Sequence, residues 1–251
     1  MPAAVEEPYA QQFATRLAAV EARIAAACQA AGRPRGDVTL VAVTKTRTLD
    51  EVRAAIRCGL GDLGENRIEE LEERLDALTP GEAESRGDVR WHMIGHVQSR
   101  KAARVAAVAA LVHSVDSVRL AERLDRAAGA AGRVLPVLLE VNVSGEESKF
   151  GLSAWDAASR DALPGTLEGL GSLEHLEVRG LMTMAPLGAS PEEARAVFAA
   201  LRALRETLCR CLPWSDWGEL SMGMTDDFEP AIAEGATMVR IGRALFGPRT
   251  A

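Results

Sequence analysis

The sequence predicts a single (β/α)8 barrel with one extra helix at its N-terminal end. Three observations carry this reading. The chain has 251 residues, close to the roughly 250 typical of that fold. From Val38 onward, short β-branched runs alternate with alanine-rich helical stretches, which is the pattern of a parallel sheet. There are eight such runs, the count at which this sheet closes on itself. Hydrophobic residues at 47% and charged residues at 26% supply the core that the architecture must bury.

Taken in order, residues 8–32 read as an amphipathic helix, with Phe13, Leu17, Val20 and Ile24 at helical spacing and Gly32 closing it before Pro34. This helix is expected to act as a lid for the barrel bottom. The barrel itself is expected over residues 38–247. Its strands are Val38–Thr44, Asp62–Gly64, Trp91–Ile94, Leu111–Val115, Val134–Val143, Leu176–Met182, Glu219–Met222 and Thr237–Ile241. Thr48 with Glu51 forms a capping box, and Ser190, Pro191 and Glu193 combine a cap, an N1 proline and a capping glutamate. Gly59 and Gly235 suit the left-handed position that ends a helix. An open doubly wound sheet would use the same alternation. Its nucleotide-binding form needs an early G-x-G-x-x-G, which is missing, while Gly59, Gly61 and Gly64 lie before or within the second strand; the closed barrel is preferred. No repeat or long linker divides the chain, and a single domain is expected.

Charge and composition exclude several function classes. A net charge of −7 opposes polyphosphate, and the arginines are scattered among acids, so nucleic acid is not an expected partner. No apolar run approaches the roughly 18 residues of a membrane helix. Met1 to Pro8 carries Glu6 and Glu7 but no basic residue, unlike a secretion signal, so the expected location is the cytoplasm. Cys28, Cys58, Cys209 and Cys211 have neither CxxC spacing nor a nearby histidine, and are expected to be buried free thiols with no metal site.

Basic charge is almost entirely arginine, and the only lysines are Lys45, Lys101 and Lys149. Lys45 ends the first strand, where barrel side chains reach the functional mouth. An amine partly desolvated there favours its neutral form, and a neutral amine condenses with an aldehyde. Phosphate sites in this fold use the loops after the seventh and eighth strands. Here those loops are Leu220-Ser221-Met222-Gly223-Met224, with a hydroxyl and a glycine, and Arg240-Ile241-Gly242-Arg243, opening a final helical turn. An amine facing an anion cradle fits pyridoxal phosphate, and it equally fits a phosphosugar in a Schiff-base aldolase.

The segments Val43-Thr44-Lys45, Gly64-Glu65-Asn66, Trp91-His92-Met93-Ile94-Gly95 with Gln98-Ser99, Ser148-Lys149 before Gly151, Leu220 to Asp227, and Met238 to Gly247 separate the two ligands. Together they resemble the pyridoxal phosphate homeostasis protein family, related to the barrel domain of bacterial alanine racemase. The resemblance implies that Lys45 holds pyridoxal 5′-phosphate as a Schiff base and that Asn66 lines the pocket. It implies further that Ser221, Met222, Gly242 and Arg243 bind the cofactor on its phosphate side, and that Arg240 faces the pyridine nitrogen. Arg240 can only donate, so it would leave that nitrogen unprotonated and the ring a poorer electron sink. Arg243 stands where the family often has Ser or Thr, Arg67 replaces a frequent Tyr, and Arg100 a frequent Asn.

The remaining candidates have plainer expectations. His92 is expected to be a hydrogen-bonded interior histidine and His96 a loop residue. Asp226 and Asp227 are expected to cap the following helix. Lys149 could offer a second amine, though a solvated lysine is preferred, and the run Glu65 to Glu73 is expected to form the acidic start and solvent face of a helix. Alanine racemase resemblance implies a tyrosine from a second domain as proton-transfer partner. The sole tyrosine, Tyr9, precedes the barrel, so the expectation is a monomeric binding protein without turnover. Such a protein would buffer the cofactor in vitamin B6 homeostasis and pass it to apo-enzymes; slow racemisation or transamination is the alternative.

Overall fold

The computed structural model describes residues 6–78, 89–146 and 149–248. In chain order the elements are α1 (Glu6–Ala30), β1 (Thr39–Val43), α2 (Leu49–Arg57), β2 (Asp62–Glu65), α3 (Ile68–Ala77), β3 (Arg90–Met93), α4 (Ala102–Val108), β4 (Leu111–Val115), α5 (Val118–Ala130) and β5 (Leu135–Asn142). They continue with β6 (Leu152–Ser153), α6 (Ala157–Leu167), β7 (Leu176–Met182), α7 (Pro191–Cys211), β8 (Glu219–Ser221), α8 (Phe228–Ala233), β9 (Met238–Ile241) and α9 (Arg243–Phe246). Ser148, part of the sequence resemblance, lies outside the described residues.

Eight parallel strands pair in the order β4-β3-β2-β1-β9-β8-β7-β5, and a further β4–β5 pairing closes the barrel. The two-residue β6 adds in parallel to the end of β5, with Val141 opposite Leu152, and stands outside the ring. The expected strands all form, Leu111–Val115 and Leu176–Met182 with the expected bounds and the others changed by one residue at one or both ends. Both expected capping boxes are made, at Thr48 with Glu51 and at Ser190 with Glu193. Gly59 and Gly235 take φ of +94°, the left-handed conformation expected after their helices.

The leading helix does not lie under the barrel. The Phe13 ring sits 5.1 Å from that of Phe246 in α9, the Arg23 guanidinium lies 4.5 Å over Phe228 in α8, and the Tyr9 hydroxyl donates to Glu51 of α2 at 3.0 Å. Thus α1 runs along the flank of the barrel, between the helices that follow β8 and β9 and the one that follows β1. The physical reason is that α9 has only four residues. Without α1, the outer faces of β9 and β1 at Val239, Ile241, Leu40 and Ala42 would meet water; Phe13, Val20 and Ile24 join them in one buried cluster instead.

That cluster is the main core, packed between the strands and the helices. Inside the ring the apolar content is small, with Leu111, Leu138, Met182 and Met238 touching across β4, β5, β7 and β9. The rest of the buried interior is largely polar, and includes His92, His113, Glu140, Ser221 and Arg240.

Candidate functional site

Because all eight strands are parallel, the ends of β1, β2, β8 and β9 open at one end of the barrel. Registered neighbours in a parallel sheet share a face, and faces alternate along each strand. Arg240 reaches across the interior, so its partner Val41 also faces inward, and Lys45 continues that parity past the end of β1. On β2, Gly64 is registered with the inward His92, which places Asn66 on the same side two residues later. A Cβ built on Gly242 would lie 3.4 Å from that of Val43, so the start of α9 and the end of β1 are direct neighbours. Lys45, Asn66, Arg240 and Gly242 therefore gather at one mouth.

Arg240 forms the floor. Its Nη1 donates to Ser221 Oγ at 2.6 Å and its Nη2 to the Thr183 carbonyl at 3.0 Å. Burial pushes its pKa down to about 10, opposed by the Glu140 and Asp227 carboxylates. Glu140, on β5, is also buried, and burial with the nearby Asp116 pushes it up to about 7. Asn66 Oδ1 is buried with no hydrogen-bond partner, an acceptor left open beside the mouth.

The loop after β8 departs from the sequence expectation. Ser221 is 0% exposed, held between Arg240 and His113, whose Nδ1 lies 2.8 Å from its hydroxyl. Its hydroxyl is thus already shared between these two partners. The Met222 side chain faces the other way, into the core outside the ring, because adjacent strand residues alternate. Gly223, with φ +92°, is required by the close approach of α8, since a Cβ there would lie 2.6 Å from Ala231. The hydroxyl that does reach the start of α9 is Thr225, which accepts from the Ala244 N–H at 3.4 Å. The N–H groups opening α9 have no carbonyl partner within that turn. Nothing in the backbone demands glycine at 242, where a Cβ would make only ordinary contacts.

Other candidates are settled by their partners. The Arg243 guanidinium is largely exposed and pairs with Asp226. Asp227 occupies the N-cap position of α8 but accepts from the Met224 N–H instead, at 2.5 Å, so neither acid caps the helix as expected. Lys149 is not a solvated lysine: it is 14% exposed and donates to the Met184 carbonyl at 2.8 Å while pairing with Glu146 at 2.5 Å, which ties the loops after β5 and β7 together. Lys101 pairs with Glu69 at 2.8 Å. His92 is an interior histidine as expected, and His96 is a loop residue that pairs with Asp116 at 2.9 Å and stacks on Phe150. Arg67 precedes α3 and is exposed, and Arg100 bonds Gln98 at 3.1 Å.

Glu65 contradicts the solvent-face expectation: it ends β2, is fully buried, accepts from Thr44 at 2.7 Å, and is raised to about 7 by burial. Of the cysteines only Cys28 is buried, Cys58 is half-buried, and Cys209 and Cys211 are exposed on α7. Sequence reasoning missed His113, Glu140 and Thr225. A signal existed for the first two, since each is a polar residue inside an otherwise apolar strand, Leu-Val-His-Ser-Val and Val-Leu-Leu-Glu-Val. Among the described residues, no group of three or more His, Cys, Asp or Glu side chains could hold a metal ion. No described helix is long and apolar enough to cross a membrane.

Comparison with known proteins decides the family. The family described as "Alanine racemase, N-terminal domain" matches residues 15–250. The pyridoxal phosphate homeostasis protein of Pseudomonas aeruginosa is 43% identical over 237 residues, 94% of this chain and 96% of that protein. The chain belongs to the pyridoxal phosphate homeostasis protein family. PipY of Synechococcus elongatus, a COG0325 family member, is 36% identical, and 94% of this chain covers 100% of it. Solved without PLP it superposes at a TM-score of 0.81, and with PLP bound at 0.77. Alanine racemase from Streptomyces coelicolor, at 22% identity and a TM-score of 0.65, shares the fold over 92% of this chain and 58% of its own.

Proposed function

We propose that this chain binds pyridoxal 5′-phosphate at the barrel mouth, attached through Lys45, and serves as a cytoplasmic carrier of the cofactor without turnover of its own. One observation carries the reading: an amine, a donor-only cation and a glycine-opened helical turn meet at the same end of the ring. The residues fit the group. Asn66 Oδ1 is a buried acceptor awaiting a donor, and the start of α9 offers amides together with Thr225. Relatives named for pyridoxal phosphate homeostasis, and PipY with PLP bound, support the same assignment.

When bound, the cofactor supplies an aldehyde that an amine can capture and a ring that withdraws electrons. The protein's part is binding and orientation. Lys45 would present the amine, Arg240 would face the ring nitrogen, and Asn66 would line the wall. Gly242, Arg243 and Ala244 amides, with the Thr225 hydroxyl, would take the phosphate; Ser221 acts from behind, on Arg240, and Met222 by packing. The Arg243 side chain contributes little, being occupied by Asp226.

The carrier reading rests on relatives named for homeostasis and on the placement of Tyr9, the one tyrosine of the sequence. Tyr9 lies on the outer flank of the barrel, engaged with Glu51. Slow amino-acid chemistry has one observation in its favour, the buried Glu140 near neutral pKa on the wall across from β1. Borohydride reduction followed by peptide mass spectrometry tests the attachment. A cofactor adduct on the Lys45 peptide is expected, and an unmodified peptide overturns it. Amino-acid turnover above that of free cofactor would favour the enzymic reading. A monomer in solution, and cofactor delivery to an apo-enzyme faster than from free solution, complete the proposal.

A further inference from the structure

The barrel interior holds a hydrogen-bonded chain that runs beneath the proposed ligand contacts and ends on one of them, Arg240. Asp62 Oδ1 lies 2.9 Å from His92 Nε2, His92 Nδ1 lies 2.8 Å from His113 Nε2, His113 Nδ1 lies 2.8 Å from Ser221 Oγ, and Ser221 Oγ lies 2.6 Å from Arg240 Nη1. It begins at the start of β2, where Asp62 also pairs with the exposed Arg90 at 2.7 Å, and ends under the mouth. The two histidines, Ser221 and Arg240 are all buried. There, every unmade hydrogen bond is costly.

The ends of this chain dictate its protons. Burial works against the charged form of Asp62, yet hydrogen bonds from His92 and Arg90 hold its carboxyl below the usual range, so it is an acceptor. Arg240 can only donate. His92 must then give its Nε2 proton to Asp62, which leaves Nδ1 to accept from His113 Nε2–H. His113 Nδ1 in turn accepts the Ser221 hydroxyl proton, and the Ser221 oxygen accepts from Arg240. The opposite arrangement would need His92 doubly protonated against Asp62 and would leave the Ser221 proton without an acceptor among the described residues. Burial, then His92 and Arg240, all push His113 toward its neutral form.

We infer that His92 and His113 are positioning residues, which lock Ser221 as a one-way acceptor and thereby fix the Arg240 guanidinium on the floor of the mouth. The Thr183 carbonyl holds its other nitrogen, so the guanidinium has one orientation to offer a ring nitrogen above it. For its effect on the cofactor the inference rests on the proposed function; the proton arrangement is a property of this chain alone.

Two measurements separate these parts. Long-range 15N NMR of the protein without cofactor should find both histidines carrying a proton on Nε2, with His113 staying neutral from about pH 5 to 8, across the ordinary histidine range. An Nδ1–H tautomer on either, or a His113 titrating in that range, overturns the inference. With pyridoxal phosphate added, His113→Phe keeps a ring but breaks the chain. It should bind about tenfold more weakly, the cost of one buried donor left unsatisfied, and should shift the visible band of the bound cofactor. Ser221→Ala should do the same, whereas Ser221→Thr, which keeps the hydroxyl, should restore the wild-type band. Unchanged affinity and band in His113→Phe would refute the positioning role. If that variant does not fold, the tautomers of the wild-type protein decide. Wild-type protein that takes up no cofactor would strike the proposed function and leave the NMR result standing.

Discussion

The two faces of the same eight strands have opposite characters. Outward, the strands join the helices in one apolar cluster that runs from Phe13 to Phe246. Inward, among the described residues, Leu111, Leu138, Met182 and Met238 form a small apolar cluster with Met184 against it, and around them lie two histidines, a glutamate, a serine and an arginine. Burial is as complete inside as outside, so the difference is not one of exposure. The outer face gains stability from removing apolar surface from water. The inner face spends its burial on satisfying polar groups, which fixes their orientation and adds little net stability. Fold and ligand chemistry are thus carried by alternate residues of the same strands.

Substitutions that affect one face only would sharpen this contrast. The largest effect is expected from Lys45→Ala, which should abolish the borohydride-trapped adduct in a protein that still folds; an adduct elsewhere of equal yield would break the scheme. Next, Phe13→Ala on the outer face should cost about 3–5 kcal/mol by denaturant unfolding, with cofactor affinity of the folded protein unchanged.

Glu65→Gln tests a buried polar group on the outer side. Its carboxyl is raised to about 7, against roughly 4.3 in an unfolded chain. The folded state therefore binds the extra proton between those values. The stability this contributes is complete below about pH 4 and is lost as pH rises through about 7. Glutamine stays neutral, so unfolding curves of variant and wild type should diverge above about pH 5, the variant being more stable by about 3–4 kcal/mol at pH 8. A variant that is less stable at pH 8 would place the charge cost elsewhere. Smallest of all, Arg243→Ala removes an exposed ion pair with Asp226. Stability should shift by less than about 0.5 kcal/mol, and a large loss of cofactor affinity would return the guanidinium to the phosphate site.

What the sequence made legible is what local patterns control. β-branched runs marked the strands, Thr48 and Ser190 marked helix starts, and Lys45 stood out as one of three lysines at the end of an apolar run. Properties set by ring closure were hidden. His92 and His113 are 21 residues apart and Ser221 a further 108, so nothing local joins them. The segment Ser221-Met222-Gly223-Met224-Thr225 offers two hydroxyls, and only the closed barrel reveals which is turned inward. The stripe of Phe13, Val20 and Ile24 announced a buried helix face without saying what it meets; the shortness of Arg243–Phe246 was the clue to the gap it fills. Cys209 and Cys211 were misjudged because α7 buries the positions of Leu201, Leu204 and Leu208, which leaves both thiols on its other sides.

The position of α1 also makes the earliest helix wait for the last strand. It lies over the seam where β1 meets β9, segments separated by nearly 200 residues along the chain. Until β9 has left the ribosome, β1 keeps a bare edge and Phe13 has no Phe246 to meet, a combination that invites pairing between chains. Contacts this distant in sequence slow folding. The final strand works as a clasp, and a chain halted just before Met238 should be handled by the cell as an unfinished, sticky polypeptide rather than as a slightly shortened barrel.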